Sequence, residues 1–309
     1  PMTLEDLNDF VTSAEIGEFI HVGEARQCKA LSKIADTVTD RGTVRLVLLA
    51  GGSSAGKTTT AKRLCTQLRV NGAVALHLST DDYFVGDARN PRDENGEFDY
   101  ETIECVDMLR LAADLNALRS GAAVHLRRFD FQKHDGYDET ALTTLPANGI
   151  IVLEGIHALN PRLTAGVDDA CKFRLFIEPM TQPEVFATTR LPSTDARLLR
   201  RIVRDNQFRK MDPAETFRMW PKVLAGEEKW INPFRGEADA EFDSALPYEL
   251  AVLKPYVSGL LVRVLKKDPS NLKAQALAEL LELVCATDPV KVPGDSILRE
   301  TIGCSQLDY

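Results

Sequence analysis

The sequence has 309 residues, of which 44% are hydrophobic, enough to build one large domain with appended segments. Its 46 acidic and 37 basic residues give a net charge of −9, which speaks against a nucleic-acid binder and favours a small-molecule partner. The six cysteines are widely spaced, and no apolar run reaches the length of a membrane helix. We therefore expect a cytoplasmic protein without a membrane partner, and the oligomeric state, a homo-oligomer included, stays open.

Apolar strand patterns alternate with helical patterns along the chain. The strand patterns cover 44–50, 73–78, 150–153 and 173–177. The helical patterns cover 1–40, 101–119, 195–208, 245–265 and 272–286. Such alternation predicts an α/β fold with a parallel sheet covered by helices on both faces. We divide the chain into a helical lead-in segment at 1–40 that packs on the main domain, a main domain at 41–265 and a C-terminal helical extension at 266–309.

Residues 51–58 match the phosphate-binding pattern G-x-x-x-x-G-K-[ST] without a gap. The pattern lies between an apolar strand and an amphipathic helix, where backbone N–H groups and the helix N-terminus converge on phosphates. Lys57 is expected to reach the β- and γ-phosphates, and the Thr58 hydroxyl is expected to ligate Mg²⁺. The residues predicted to bind ATP are Gly51, Gly52, Ser53, Ser54, Ala55, Gly56, Lys57, Thr58 and Thr59.

Other proteins with this loop include GTPases and motor ATPases. A GTPase carries an N-K-x-D base-reading motif, which this sequence lacks. A motor ATPase ends its second key strand in an Asp-Glu pair, whereas here the strand ends with the single carboxylate Glu154. A small-molecule kinase is therefore the favoured class.

Two carboxylates follow strands at the edge of the predicted sheet where ligands bind. Asp81 follows the second strand, and it is a candidate base for an attacking hydroxyl and a candidate Mg²⁺ ligand; an ordinary acidic turn is the alternative. Glu154 is a candidate Mg²⁺ ligand or a solvated acid at a strand end.

Four arginines lie along one face of the helix predicted at 195–208, at the spacing i, i+3, i+4 and i+7. These arginines are Arg197, Arg200, Arg201 and Arg204. They could form a lid that neutralises charge on a transferring phosphoryl group, or a solvated face balanced by acids.

Several blocks together resemble the uridine kinase branch of the phosphoribulokinase/uridine kinase family over about 44–265. These blocks are 51–58, 79–84, 98–99, 129–131 with His134, 154–156 and 200–205. The likeness is closer to bacterial nucleoside or uridine kinases with a fused N-terminal part resembling threonyl-tRNA synthetase. It rests on the blocks 220–223, 226–228, 233–234, 248–256 and 296–300. Residues 1–40 would then be a remnant or linker of that part.

The resemblance implies a three-layer P-loop NTPase fold with a parallel sheet, a helical lid and a helical C-terminal extension. It implies that Asp81 accepts the proton of a sugar hydroxyl and, with Thr58 and Glu154, surrounds Mg²⁺. Lys57 would keep its role on the phosphates, and Arg200, Arg201 and Arg204 would form the lid. The residues expected to bind the acceptor are Asp82, Tyr83, Asp99, Phe129 and His134, with Asp99 on the ribose hydroxyls and Phe129 and His134 on the base.

The sequence departs from animal-type uridine kinases near the expected base contacts. Phe129 stands where those proteins carry a tyrosine, and Asp135 and Gly136 replace a Ser-Arg pair. A lost hydroxyl can change discrimination strongly in a pocket that reads base edges. Three functions therefore remain: an ATP-dependent nucleoside kinase, a kinase for another sugar, polyol or pantothenate-like alcohol, and a regulatory module that only binds nucleotide.

Overall fold

The computed structural model describes residues 2–130, 133–186 and 189–308. Phe131, one of the residues on which the resemblance rests, lies outside the described residues. The helices are α1 (Leu4–Thr12), α2 (Ile16–Asp40), α3 (Lys57–Val70), α4 (Met108–Arg119), α5 (Ser193–Phe208), α6 (Pro213–Trp230), α7 (Glu249–Lys267), α8 (Leu272–Glu282) and α9 (Arg299–Ile302). The strands are β1 (Leu46–Ala50), β2 (Ala75–Ser79), β3 (Val124–Asp130), β4 (Asp135–Thr143), β5 (Ile150–Glu154), β6 (Lys172–Glu178), β7 (Glu184–Phe186), β8 (Thr189–Arg190) and β9 (Ala240–Asp243).

Five parallel strands form the central sheet in the order β2-β5-β1-β6-β9. The register pairs Leu49 of β1 with Glu154 of β5, and Glu154 with Ser79 of β2. The carboxyl ends of these three strands therefore lie side by side at one edge of the sheet. The predicted parallel α/β fold is confirmed.

Along the central strands β1, β5 and β6, alternate side chains enter two separate hydrophobic cores. On β1, Val47 and Leu49 pack with α2, α3, α5 and α7, whereas Leu46 and Leu48 pack on the opposite face with α4. Because every strand residue of β1 and β5 is buried, the sheet is covered on both faces, as expected of parallel strands. The structure therefore has the three predicted layers.

Several elements differ from the sequence prediction. The helix expected from residue 101 begins only at Met108, because the Asp107 side chain accepts a hydrogen bond from the Arg110 N–H and caps the helix start. The chain also forms an antiparallel hairpin of β3 and β4 outside the main sheet. The parallel edge strand β9 has four residues, too few for a clear apolar pattern.

Both terminal parts of the chain pack into the hydrophobic core that contains α3, α5 and α7. The C-terminal part contributes Leu277 of α8 and Ile302 of α9. On α2, Leu31, Ala35 and Val38 are buried in the core that also contains α3 and α7. The Glu24 carboxylate of the same helix accepts hydrogen bonds from Arg63 of α3 and from the Tyr248 hydroxyl, at 3.2 and 2.5 Å.

Among the helices of the described residues, none combines the length and hydropathy that crossing a bilayer requires.

A buried ion pair joins α5 to α7. The Arg200 side chain is 1% exposed, and its guanidinium donates hydrogen bonds to the Glu249 carboxylate and, at 2.9 Å, to the Ser244 carbonyl. Glu249 is equally buried and also accepts a hydrogen bond from Gln182 at 3.2 Å. The charges therefore satisfy each other away from water.

Replacing Glu249 with alanine leaves the Arg200 charge buried without its partner. We expect Glu249→Ala to lower the free energy of unfolding by about 3–5 kcal/mol, measured by urea denaturation. The matched control is Glu104→Ala, which removes the solvent-exposed partner of Arg162 and should cost at most about 1 kcal/mol. Equal losses in the two variants would contradict the structural role of the buried pair.

Candidate functional site

The loop after β1 forms a tight backbone cradle at the carboxyl edge of the sheet. Gly56 adopts φ +90°, a left-handed conformation that favours glycine, and α3 begins at the next residue. A side chain at Gly52 would collide with the Arg197 guanidinium and the Glu227 carboxylate. The Lys57 ammonium donates to the Gly52 carbonyl at 3.1 Å, so its charge lies over the loop. A loop of this shape followed by a helix N-terminus can bind phosphate groups.

A carboxylate and a hydroxyl meet directly beside this cradle. The Thr58 hydroxyl, on the first turn of α3, donates to Glu154 Oε1 at 3.0 Å. Glu154 is buried at the end of β5, and His77 Nε2 lies 3.8 Å from its Oε1. Burial by itself raises the pKa of Glu154, but the nearby imidazole of His77 and the charge of Lys57 outweigh it and hold that pKa below its usual range. Glu154 is therefore an anion at neutral pH.

Asp81 lies on a short turn, Thr80–Tyr83, that follows β2. The Ser79 hydroxyl accepts a hydrogen bond from the Asp81 N–H at 3.3 Å and fixes the turn. Burial, reinforced by the negative charge of Glu154, raises the pKa of Asp81 to about 6, although Lys57 and Arg209 act in the opposite direction. A carboxylate with a pKa near neutrality can accept a proton from a bound hydroxyl.

The arginines of α5 lie over the phosphate-binding loop, not on a solvated face. Arg201 donates to the Ser53 hydroxyl at 2.6 Å, and Arg197 donates to the Ser53 carbonyl at 3.1 Å. Arg204 donates to the fully buried Asp205 carboxylate at 2.7 Å. Opposite charge and burial thus hold a cationic cluster against the loop.

The structure gives Arg200 a different position from that of Arg201. Its guanidinium is occupied by the ion pair with Glu249, and its Nη1 lies 3.5 Å from the Ser54 carbonyl of the loop. Arg200 therefore contacts the loop with a charge that is already balanced in the core.

Three further charged residues lie close to the predicted site, although sequence reasoning gave them no role. Glu227 accepts hydrogen bonds from the Ser53 N–H at 3.0 Å and from Arg197 at 2.6 Å. Arg209, five residues beyond Arg204, contributes its positive charge to the environment of Asp81. Glu101 has a pKa raised to about 7, by burial and then by the charges of Glu227 and Asp99, against the opposing charge of Arg201. Arg209 falls outside the i, i+3, i+4 and i+7 spacing that singled out the arginines of α5, and Glu227 lies on a different helix, α6.

Asp82 and Tyr83 belong to the same turn as Asp81, and their side chains contact β3 and α4. Asp82 accepts hydrogen bonds from Arg128 at 2.9 Å and from the Phe129 N–H at 3.3 Å, which fastens the turn to the hairpin. Tyr83 is 1% exposed, and its hydroxyl donates to Asp114 at 3.0 Å. Direct contact of Tyr83 with an acceptor, as predicted, does not fit this burial, because its hydroxyl is committed to the core.

The other predicted acceptor residues, Asp99, Phe129 and His134, lie on segments near Phe84, the residue that follows the turn of Asp81, and we call them the acceptor rim. Asp99 accepts a hydrogen bond from the Glu101 N–H at 3.0 Å. His134 is exposed, and its Nδ1 lies 3.4 Å from the Tyr100 hydroxyl, which donates to Asp87. Phe129 is buried and packs edge-on against Phe84, with ring centroids 5.5 Å apart. The acceptor rim therefore combines polar side chains with a buried aromatic pair.

The donor set beside the loop fits Mg²⁺ better than a metal held by protein side chains alone. Within the described ranges, no three His, Cys, Asp or Glu side chains are grouped so that they could hold a metal ion. Mg²⁺ typically takes one or two carboxylates and completes its coordination with water and phosphate oxygens. The Thr58 hydroxyl and the carboxylates of Glu154 and Asp81 offer such a partial set.

Relatives of the chain include proteins named uridine kinase. One from Halobacterium salinarum is 27% identical over 62% of this chain and 76% of its own length. One from Deinococcus deserti is also 27% identical, over 62% of this chain and 83% of its own. A solved structure from Silicibacter sp., described as a candidate fructose transport system kinase, is 18% identical over 68% of this chain and 98% of its own, with a TM-score of 0.46.

A family model described as "Phosphoribulokinase / Uridine kinase family" matches residues 46–249. The matched range begins with β1 and ends at the first residue of α7, so it includes the phosphate-binding loop, Asp81, Glu154 and the arginines of α5. Because this match covers more than half of the sequence, the chain belongs to the phosphoribulokinase/uridine kinase family.

Proposed function

We propose that this chain transfers the γ-phosphoryl group of ATP to the 5′-hydroxyl of a nucleoside. The observation that carries the proposal is the contact of the Thr58 hydroxyl with Glu154 at 3.0 Å beside the phosphate-binding loop, with Asp81 on the neighbouring strand end. Phosphate-binding groups and a candidate base thus share one edge of the sheet. A module that only binds nucleotide has no need of such a base.

The mechanism assigns one task to each group. The acceptor hydroxyl oxygen bonds to the γ-phosphorus of ATP while the bond from that phosphorus to the β–γ bridging oxygen breaks, and ADP leaves. Asp81 takes the proton of the hydroxyl, because its pKa of about 6 leaves it ionised but basic at neutral pH. Lys57, Arg201 and Arg204 face the negative charge of the transferring group, as in other phosphoryl-transfer sites.

Thr58, Glu154 and Asp81 would hold Mg²⁺ in this proposal. When bound, the ion would neutralise phosphate charge and orient the β- and γ-phosphates. Arg200, whose charge is balanced by Glu249, would keep the Ser54 part of the loop in place instead of entering the reaction. Catalysis then depends mainly on positioning and charge neutralisation.

A nucleoside is the acceptor that the rim supports best. Asp99 and Glu101, two residues apart in sequence, carry carboxyl groups that can accept hydrogen bonds from the vicinal hydroxyls of a ribose. Two of the relatives described above carry the name uridine kinase, which favours a pyrimidine nucleoside.

We also propose that the chain divides into a helical lead-in segment at 1–40, a kinase domain at 41–265 and a C-terminal helical extension at 266–309. We further propose a cytoplasmic location.

A different sugar or polyol is the second candidate acceptor, because the base contact departs from the uridine kinase pattern. Phe129 is buried against Phe84 and brings no hydroxyl to the rim, so little there reads the edge of a base. A carboxylate pair such as Asp99 and Glu101 can bind vicinal hydroxyls of many polyols as well as those of ribose.

A panel of acceptors tests the proposed function directly. The purified chain with ATP and Mg²⁺ is offered uridine, cytidine, purine nucleosides, pentoses, hexoses, glycerate and pantothenate, and ADP release is measured in a coupled assay. We expect turnover with uridine or cytidine well above the ATPase background. Turnover only with non-nucleosides supports the second candidate, and ATP binding without any product supports a regulatory module.

Substitution of the candidate base separates chemistry from binding. We expect Asp81→Asn to lower kcat by about 10²–10⁴-fold while changing the Kd for ATP by only a few-fold, since the base acts on the acceptor proton. We expect Lys57→Ala to lose both ATP affinity and turnover. The control Asp9→Asn changes an exposed carboxylate on α1 and should leave kcat unaltered. Full activity of Asp81→Asn would remove Asp81 from the mechanism.

The raised pKa of Asp81 sets the acid limb of the rate profile. Asp81 must be ionised to accept a proton, and its pKa is about 6, so activity is lost as the pH falls through that value. We expect kcat/KM for the acceptor to fall about tenfold for each pH unit below about 6. A rate profile that stays flat down to pH 5 would contradict this assignment.

A further inference from the structure

Helix α6 contacts two different parts of the candidate site. Lys222 and Gly226, one turn apart on this helix, contact residues 91–101, which we call the acceptor segment. On the adjacent face of the helix, Glu227 accepts a hydrogen bond from the Ser53 N–H of the phosphate-binding loop at 3.0 Å. One helix therefore holds both the loop and the segment that carries a predicted acceptor contact.

The backbone of the acceptor segment folds back on itself. The Asp99 N–H donates to the Pro91 carbonyl, and the Asp93 N–H donates to the Glu97 carbonyl, both at 2.8 Å. Asp93 Oδ1 accepts hydrogen bonds from the N–H groups of Asn95 and Glu97, both at 2.9 Å. Asp99 therefore lies at the end of the returning arm of this turn.

The Lys222 ammonium ties the two arms of the acceptor segment together. It donates to Asp93 Oδ2 at 2.7 Å and to the Phe98 carbonyl at 3.2 Å. The hydrogen bond from Lys222 holds the pKa of Asp93 below its usual range, although burial acts in the opposite direction. Because the Phe98 carbonyl and the Asp99 N–H belong to one peptide group, Lys222 and Pro91 hold that group at both its acceptor and its donor.

Gly226 allows the acceptor segment to lie directly against α6. A Cβ on Gly226 would be 2.5 Å from Glu101 Cβ, so a larger residue would push the segment away from the helix. At the next position, Glu227 holds the phosphate-binding loop and forms a buried ion pair with Arg197. Helix α6 therefore fixes the distance between Asp99 and the loop.

We propose that Lys222 is a positioning residue for the acceptor, because it fixes the Phe98–Asp99 peptide group on α6 and thereby places the Asp99 carboxylate relative to the phosphate-binding loop. This inference rests on the proposed function, since it takes Asp99 as a contact of the acceptor hydroxyls. Lys222 acts through Asp99 and not on the phosphoryl group. Its removal should therefore weaken acceptor binding and leave nucleotide binding intact.

Lys222→Met tests this role, because methionine keeps an unbranched apolar side chain and removes the ammonium. With uridine as the acceptor and saturating ATP and Mg²⁺, we expect KM for uridine to rise about tenfold. The kcat and the Kd for ATP should change by less than about threefold, because Asp99 binds the hydroxyls in the ground state and in the transition state alike. The control Lys229→Ala removes an exposed lysine of the same helix and should leave all three constants unaltered.

Asp93→Asn breaks the same contact from the other side. Its Oδ1 can still accept the hydrogen bonds from Asn95 and Glu97, whereas the amide nitrogen that replaces Oδ2 cannot accept one from Lys222. We expect a similar rise in KM for uridine, and no further rise in a chain that carries both Lys222→Met and Asp93→Asn. Additive effects would show that the two residues act separately and would overturn the proposal.

Hydrogen exchange tests the positioning without an acceptor. In Lys222→Met, we expect peptides that cover 91–101 to exchange at least about threefold faster than in the unsubstituted chain, while peptides that cover 51–58 keep their rates. Unchanged exchange of 91–101, or an unchanged KM for uridine, would overturn the proposal. If the unsubstituted chain does not phosphorylate uridine, the proposed function itself fails, and the exchange rates alone then decide whether Lys222 fixes Asp99.

Discussion

The parallel register of β2, β5 and β1 is the constraint on which the candidate site depends. Because Ser79, Glu154 and Leu49 occupy paired positions, the groups that follow these strands arrive at the same edge of the sheet. The glycine loop, Asp81 and Glu154 are therefore neighbours although more than 70 residues of sequence separate Asp81 from Glu154. A shift of one residue in either pairing would turn Glu154 to the opposite face of the sheet and separate it from Thr58.

Charge balance around the loop explains how so many ionisable groups share this space. Arg197 is neutralised by Glu227, Arg200 by Glu249, and the buried Asp205 carboxylate contacts Arg204. Buried ion pairs of this kind fix positions more than they add stability, because desolvation offsets much of their attraction. Asp81 differs from these carboxylates: burial and Glu154 raise its pKa, which keeps it basic enough to accept a proton. Positioning and reactivity are thus assigned to different carboxylates.

Sequence patterns predicted the parts of the structure that depend on local order. The loop 51–58, the buried strands and the arginine spacing of α5 have signals within a few residues, and all three are present in the structure. Long-range pairing left no such signal. Nothing near Arg200 in the sequence indicates that Glu249 buries its charge, and nothing near Thr59 indicates that Glu300 accepts its hydrogen bond. The burial of Tyr83 against Asp114 likewise depends on how α4 packs under the turn.

In the proposed mechanism, the loop 51–58 and Asp81 act on the same phosphoryl group. The decisive experiment is a crystal structure with a non-hydrolysable ATP analogue and Mg²⁺. We expect the triphosphate along the loop, Mg²⁺ beside Thr58 and Glu154, and the terminal phosphate facing Asp81 across a space large enough for an alcohol. An analogue bound elsewhere, or a terminal phosphate on the side of the loop away from Asp81, would contradict it.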